Sequence, residues 1–154
     1  GTQVALRNQA LSVDHVVQLE ASDVKSLAAS ETTAVFLPGA DFYLSIDYPK
    51  ARSLIDAGSS FALATDFNPG SCPTQDLSLI GVLARLQMRM TLPEVIVAYT
   101  VGAAKALGVL NRRGSLEAGK DCDFVVLNGS EKDLFYQVGH HPVEQVFIAG
   151  EPML

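Results

Sequence analysis

Short apolar runs alternate with stretches of helical spacing along the first hundred residues. Leu11-Ser12-Val13-Asp14-His15-Val16-Val17 predicts a strand that ends near His15. Ser22 to Ala29 predicts a helix with Ser22 as its N-cap. Thr32 to Leu37 is β-branched and apolar and is stopped by Pro38-Gly39, which predicts a second strand. Ala40 to Pro49 reads as a loop carrying Tyr43 and Tyr48, and Lys50 to Ala57 as a short helix closed by Gly58. Ser60 to Thr65, built on Phe61-Ala62-Leu63, is the third strand. Thr74 is placed as the cap of a helix with an apolar stripe at Leu77, Ile80, Leu83 and Leu86. Thr91 caps another, with Pro93 in the first turn, Glu94 behind it, and Val95, Val97, Val101, Ala104 and Leu107 as its apolar face up to Gly108.

Alternation of this kind predicts βα units and a parallel sheet, hence an α/β fold. The character changes after residue 110. Gly114 to Lys120 is turn-rich, Asp123 to Leu127 and Val143 to Ile148 read as strands, and Ala149-Gly150-Glu151-Pro152 as a hairpin-type turn. Residues 1–110 are therefore separated from a small β appendage at 111–154. The chain carries no internal repeat and no low-complexity tract.

The 154 residues suffice for a sizeable core, and 48% apolar with 18% charged residues marks a globular chain. A net charge of −6 and a pI of about 4.9, with no basic stripe, argue against a nucleic-acid partner. No apolar run reaches membrane-spanning length, so no membrane partner is expected. The start, Gly1-Thr2-Gln3 and then Val4-Ala5-Leu6, reads as an expression scar or as mid-protein sequence. Cys72 and Cys122 form no CxxC and are expected as free thiols in a reducing cytoplasm.

The stretch with most chemistry is Ala64-Thr65-Asp66-Phe67-Asn68-Pro69-Gly70-Ser71. A carboxylate stands where an apolar strand gives way to a Pro/Gly-broken loop. Parallel α/β proteins place reactive groups there, because strand C-termini open into the loops over the site. Taken alone, Asp66 could equally be a turn-capping residue.

These residues, with Val101-Gly102-Ala103-Ala104-Lys105-Ala106-Leu107-Gly108 and the run from Gly114 to Val126, resemble the C-terminal end of the amidohydrolase superfamily. Within it, Ser12-Val13-Asp14-His15, Leu37-Pro38-Gly39-Ala40 and Thr65-Asp66-Phe67-Asn68-Pro69-Gly70-Ser71 resemble the imidazolonepropionases. The resemblance runs over nearly the whole chain. It implies the C-terminal part, strands six to eight, of a metal-dependent hydrolase (β/α)8 TIM barrel, plus part of a small composite β-sandwich. A complete barrel needs about 250 residues, so a missing N-terminal part of the same enzyme is the expected partner. The family's His-x-His has no counterpart here.

By the same resemblance, Asp66 is a metal ligand and the catalytic carboxylate that takes the proton of the attacking water, and His15 assists beside it. Asn68, Gly70 and Ser71 match loop positions that hold a small-molecule substrate. Gly70 permits close backbone approach, and Asn68 and Ser71 supply neutral hydrogen bonds. The cofactor implied is one divalent metal, Zn or Fe, since both accept imidazole and carboxylate ligands. The activity implied is hydrolysis of 4-imidazolone-5-propanoate to N-formimino-L-glutamate in histidine degradation. Val16-Val17 stands where the family often has Leu-Glu, which removes any role of that glutamate. A cytosine- or chlorohydrolase-like deaminase and a non-catalytic fragment are the alternatives. Unpaired strand edges lead us to expect a homo-oligomer or association with the missing half. His140 and His141 are expected at the surface, Met88 and Met90 in the core, and Cys72 is not marked as a nucleophile.

Overall fold

A computed structural model of the chain describes residues 1–153. Strands β1 (Ser12–Asp14), β2 (Thr33–Phe36) and β3 (Phe61–Leu63) form a parallel sheet in that order, with Asp14 level with Val35 and Val35 level with Ala62. All four residues of β2 are buried, as a strand covered on both faces of a parallel sheet requires. Alternate residues serve opposite faces. Ala34 and Phe36 join Leu27, Leu54, Ile80 and Val95 in the main core, while Val35, Leu37 and Ala62 form a smaller cluster.

Helices α2 (Ala21–Ala28) and α4 (Ala51–Asp56) connect the three strands, joined by a further short helix, α3 (Pro38–Leu44). After β3 come α5 (Leu77–Gln87), α6 (Leu92–Val97), a π turn at Ala98–Gly102 and α7 (Ala103–Ala106). The capping of α6 is as expected: the Thr91 hydroxyl accepts from the Glu94 N–H at 3.4 Å, and the Glu94 carboxylate accepts from the Thr91 N–H at 2.7 Å. Glu94 also accepts two bonds from Arg52 Nη1, at 2.8 and 2.9 Å, tying α4 to α6 and holding its own carboxyl below the usual range. The π turn brings Gly102 so close to β3 that a Cβ there would overlap the Phe61 carbonyl oxygen.

The second sheet is antiparallel, β4 (Phe124–Leu127), β5 (Val143–Ile148) and β6 (Glu151–Met153) in order. Phe124 and Phe147 stack across it with centroids 4.4 Å apart. Only Ala149 (φ 52°) and Gly150 (φ 80°) make the β5–β6 turn, so Glu151 and Pro152 belong to a strand rather than to the turn. Leu154 lies outside the described residues.

Other expectations need correction. Residues 40–49 are not all loop, because α3 begins at Pro38. A proline stops a strand, but its fixed φ also suits the first turn of a helix. The N-terminal residues form a helix, α1 (Thr2–Arg7). Glu20, not Ser22, is the N-cap of α2, where Asp23 accepts from the Glu20 N–H at 3.2 Å. Asp76, not Thr74, caps α5, accepting from the Leu79 N–H at 3.0 Å. Ile80 and Leu83 are buried as expected, but Leu77 and Leu86 are exposed, since a spacing of three drifts around a helix with 3.6 residues per turn.

Candidate active site

The C-terminal ends of all three parallel strands point to one side, and the expected residues gather there. β1 ends at Asp14 and His15 follows; β3 ends at Leu63 and Asp66 lies three residues on. Although β2 separates these strands, His15 Nε2 and Asp66 Oδ2 stand 3.9 Å apart. The backbone makes this possible by turning sharply. His15, Val16 and Asp66 all have left-handed φ, 68°, 48° and 55°. For a β-branched residue such as Val16 that conformation is an outlier, and each such residue costs about 1–3 kcal/mol. Burial of the Val16 side chain in the main core helps hold it there.

The loop after Asp66 is closed by its own asparagine. Asn68 Oδ1 accepts from the Gly70 and Ser71 N–H groups at 2.9 and 2.7 Å. Its Nδ2 donates to the Asp66 carbonyl at 2.6 Å and to Ser71 Oγ at 2.9 Å, and its N–H donates to the Cys72 carbonyl at 3.0 Å. Asn68 thus shapes the loop from within. Phe67 projects from it and is exposed. Underneath, Cys72 is fully buried against Gly39, where any Cβ would meet its sulfur. Burial pushes the Cys72 thiol up, and the Asp66 charge adds to this, which disfavours the thiolate that a nucleophile requires.

One residue of this cluster escaped the sequence reading. Asp41, in the first turn of α3, is 1% exposed, and neither of its carboxylate oxygens has a hydrogen-bond partner among the described residues. Burial raises its carboxyl to about 6; His15 works against that shift and Asp66 with it. The only sequence signal was a charge immediately after Pro-Gly-Ala within an apolar run. His140 and His141 lie at the surface as expected, with His141 Nδ1 3.9 Å from Asp76 Oδ1. Tyr43 is exposed on α3, whereas Tyr48 packs against the main core.

A sequence profile of the amidohydrolase family matches residues 4–153. The chain belongs to the amidohydrolase family. Curated relatives of this family member include the imidazolonepropionase of Bdellovibrio bacteriovorus, 52% identical over 98% of the chain and 36% of the relative. That of Deinococcus radiodurans is 44% identical over 97% of the chain and 38% of the relative. The chain therefore spans little more than a third of the length of these curated relatives. Among solved structures, a zinc-bound adenosine deaminase from Xanthomonas campestris superposes with a TM-score of 0.83 at 26% identity, over 92% of this chain and 36% of that one. A zinc complex of atrazine chlorohydrolase from Arthrobacter aurescens superposes at 0.77 and 20% identity, over 94% and 36%. The α/β fold is thus that of part of an amidohydrolase-family enzyme.

The family's divalent metal finds a partial fit here. Asp66 offers an oxygen donor that, among the described residues, no lysine or arginine engages, and it keeps 29% of its side chain exposed. No group of three or more His, Cys, Asp or Glu among the described residues could hold a metal ion. A catalytic site needs about three protein ligands, so the described residues do not complete one.

Proposed function

We propose that this chain is the C-terminal part of an imidazolonepropionase, with β1, β2 and β3 as barrel strands six, seven and eight and residues 111–154 as part of a composite β-sandwich. The observation that carries the reading is the meeting of His15 and Asp66 at 3.9 Å above the closed Asn68 loop. The 52% identity to an imidazolonepropionase supports it. A divalent metal, Zn or Fe, bound through Asp66 and ligands from the missing N-terminal part, would supply the polarisation that makes water reactive at neutral pH.

The chain's own residues handle protons and placement. Water adds to the ring carbonyl carbon of 4-imidazolone-5-propanoate, and Asp66 accepts its proton. The ring C–N bond breaks, and Asp66 returns that proton to the departing nitrogen, leaving N-formimino-L-glutamate. His15 hydrogen-bonds to the reacting water or to Asp66 and keeps the carboxylate turned inward. Asn68 holds the loop so that Gly70 and Ser71 face the substrate. Deamination is the weaker alternative, because the deaminase and chlorohydrolase neighbours named above are 26% and 20% identical, against 52% for an imidazolonepropionase. The free thiols agree with a cytoplasmic enzyme.

The test is Asp66→Asn in the complete polypeptide, assayed on the imidazolone. Turnover should fall by about 10²–10⁴-fold with the fold intact by circular dichroism. Near-normal turnover would rule the assignment out.

A further inference from the structure

The join between the parallel sheet and the appendage encloses more space than its side chains fill. A cavity of about 530 Å³ lies between the start of α5, the turn that follows α6, and the strands β4 and β5. None of the candidate active-site residues lines it. Leu77 from α5, Val125 from β4 and Val143 from β5 are all in its wall, and they remain 50%, 51% and 44% exposed. Apolar side chains from three elements thus converge on space that none of them fills. Two hydroxyls in the same wall are already engaged. Tyr99 donates to the Leu77 carbonyl at 2.8 Å, and Thr100 to the Ile96 carbonyl at 2.7 Å.

One group in this wall stands apart. Asp76 is the only Asp, Glu, Lys or Arg that lines the cavity. Its Oδ1 caps α5 by accepting from the Leu79 N–H at 3.0 Å. Among the described residues, no lysine or arginine pairs with it, and the basic group within reach is His141 Nδ1 at 3.9 Å. An imidazole is ordinarily neutral near pH 8, so the wall offers a carboxylate without a resident cation.

Apolar pockets of several hundred Å³ with a few placed polar groups are the usual form of small-molecule sites. The lining here selects among ligands. An anion would be repelled by Asp76. A wholly apolar molecule would cover that carboxylate and give it nothing in return, which is costly. A cation on an apolar body satisfies both parts of the wall.

We propose that this join is a second binding site, for a small aromatic amine whose ring fills the space between Leu77, Val125 and Val143 and whose ammonium group meets Asp76. An ammonium group carries three donors and no acceptor, which suits a carboxylate with a free oxygen. The bound molecule would bridge α5 to the second sheet. The proposal is independent of the hydrolase reading and uses none of its residues.

The probe is 2-phenylethylamine, titrated calorimetrically into the complete polypeptide near pH 8. Saturable binding at one site per chain is expected. The neutral analogue 2-phenylethanol should bind about tenfold more weakly, the worth of one charge-assisted hydrogen bond. Asp76→Asn and Asp76→Ser should each weaken amine binding by about tenfold and leave the alcohol unchanged. Both replacements still cap α5, so either one that folds is sufficient. Val143→Trp enlarges a half-exposed side chain and should block both probes. Failure of the amine to bind at millimolar concentration overturns the proposal, and is the outcome if the missing N-terminal part fills the cavity. Equal affinity for amine and alcohol overturns it too, as does amine binding that the Asp76 variants or Val143→Trp leave unchanged.

Discussion

Between Thr2 and Ala104 the chain buries a continuous core; beyond Ala104, among the described residues, only Pro142 is buried. The first region packs helices on a parallel sheet whose middle strand is wholly covered. In the second, β4, β5 and β6 contain no buried residue, and Val125, Val143, Ile148 and Met153 are exposed. A small sheet whose faces are at most partly covered is marginal by itself. Among the contacts that hold it to the first region, the Phe135 ring lies against Gly81, its centroid is 5.3 Å from that of Tyr99, and the Phe135 carbonyl accepts from Arg85 at 3.0 Å. The candidate site therefore sits on the part that makes its own core, and the sheet of the appendage is only partly covered.

This contrast can be broken most severely from the core side. Gly102→Ala would place a Cβ onto the Phe61 carbonyl oxygen, and backbone cannot yield as a side-chain tip can. We expect a loss of about 3 kcal/mol or more, read as a fall in the urea midpoint with β1–β3 amides losing protection.

Asp41→Asn tests whether the core carries a built-in penalty. The carboxyl is raised from 3.8 to about 6 in the folded chain, so the folded state binds that proton more tightly than the unfolded state does. Wild-type stability should then fall as pH rises between those values, while the variant lacks this fall. The expected outcome is a gain for Asp41→Asn of about 2–3 kcal/mol above pH 6 that vanishes below about pH 4, measured by urea unfolding across that range. A pH-independent difference would contradict it.

The smallest expected effect is at the join. A Cβ at Gly81 would run into the Phe135 ring, which can swing away, so Gly81→Ala should cost about 1–2 kcal/mol. The signature is selective: faster hydrogen exchange across β4, β5 and β6 with β1–β3 unchanged. Equal loosening of both sheets would mean that the two regions unfold as one.

Hydrophobic pattern revealed β1 to β5 and the helices α2 and α4 to α7, but not α1, α3 or β6, because β-branched runs and capping chemistry act locally. Thr91 with Glu94 is the clearest case, since both halves of that cap lie within four residues. Choices among neighbouring polar residues were less legible. Glu20 and Ser22, or Thr74 and Asp76, are chemically comparable caps, and which one serves depends on where the chain enters the helix. Pro38 was ambiguous in kind, able to end β2 and to begin α3. Of the site, His15 and Asp66 could be found from strand ends and resemblance, because their position follows from the topology. Asp41 could not, since nothing local separates a carboxylate that will be buried from one that will be solvated. The left-handed turns at His15, Val16 and Asp66 were equally hidden, as none of the three is a glycine.

The burial of Cys72 under the Asn68 loop has a practical consequence. Its thiol is covered by the loop that carries Asp66 and holds its proton tightly, whereas Cys122 is exposed. A thiol-specific reagent would modify Cys122 at once and Cys72 only during moments when the loop lifts from Gly39. The two cysteines thus form a chemical clock with its own reference hand, timing the opening of the loop in the unmodified chain.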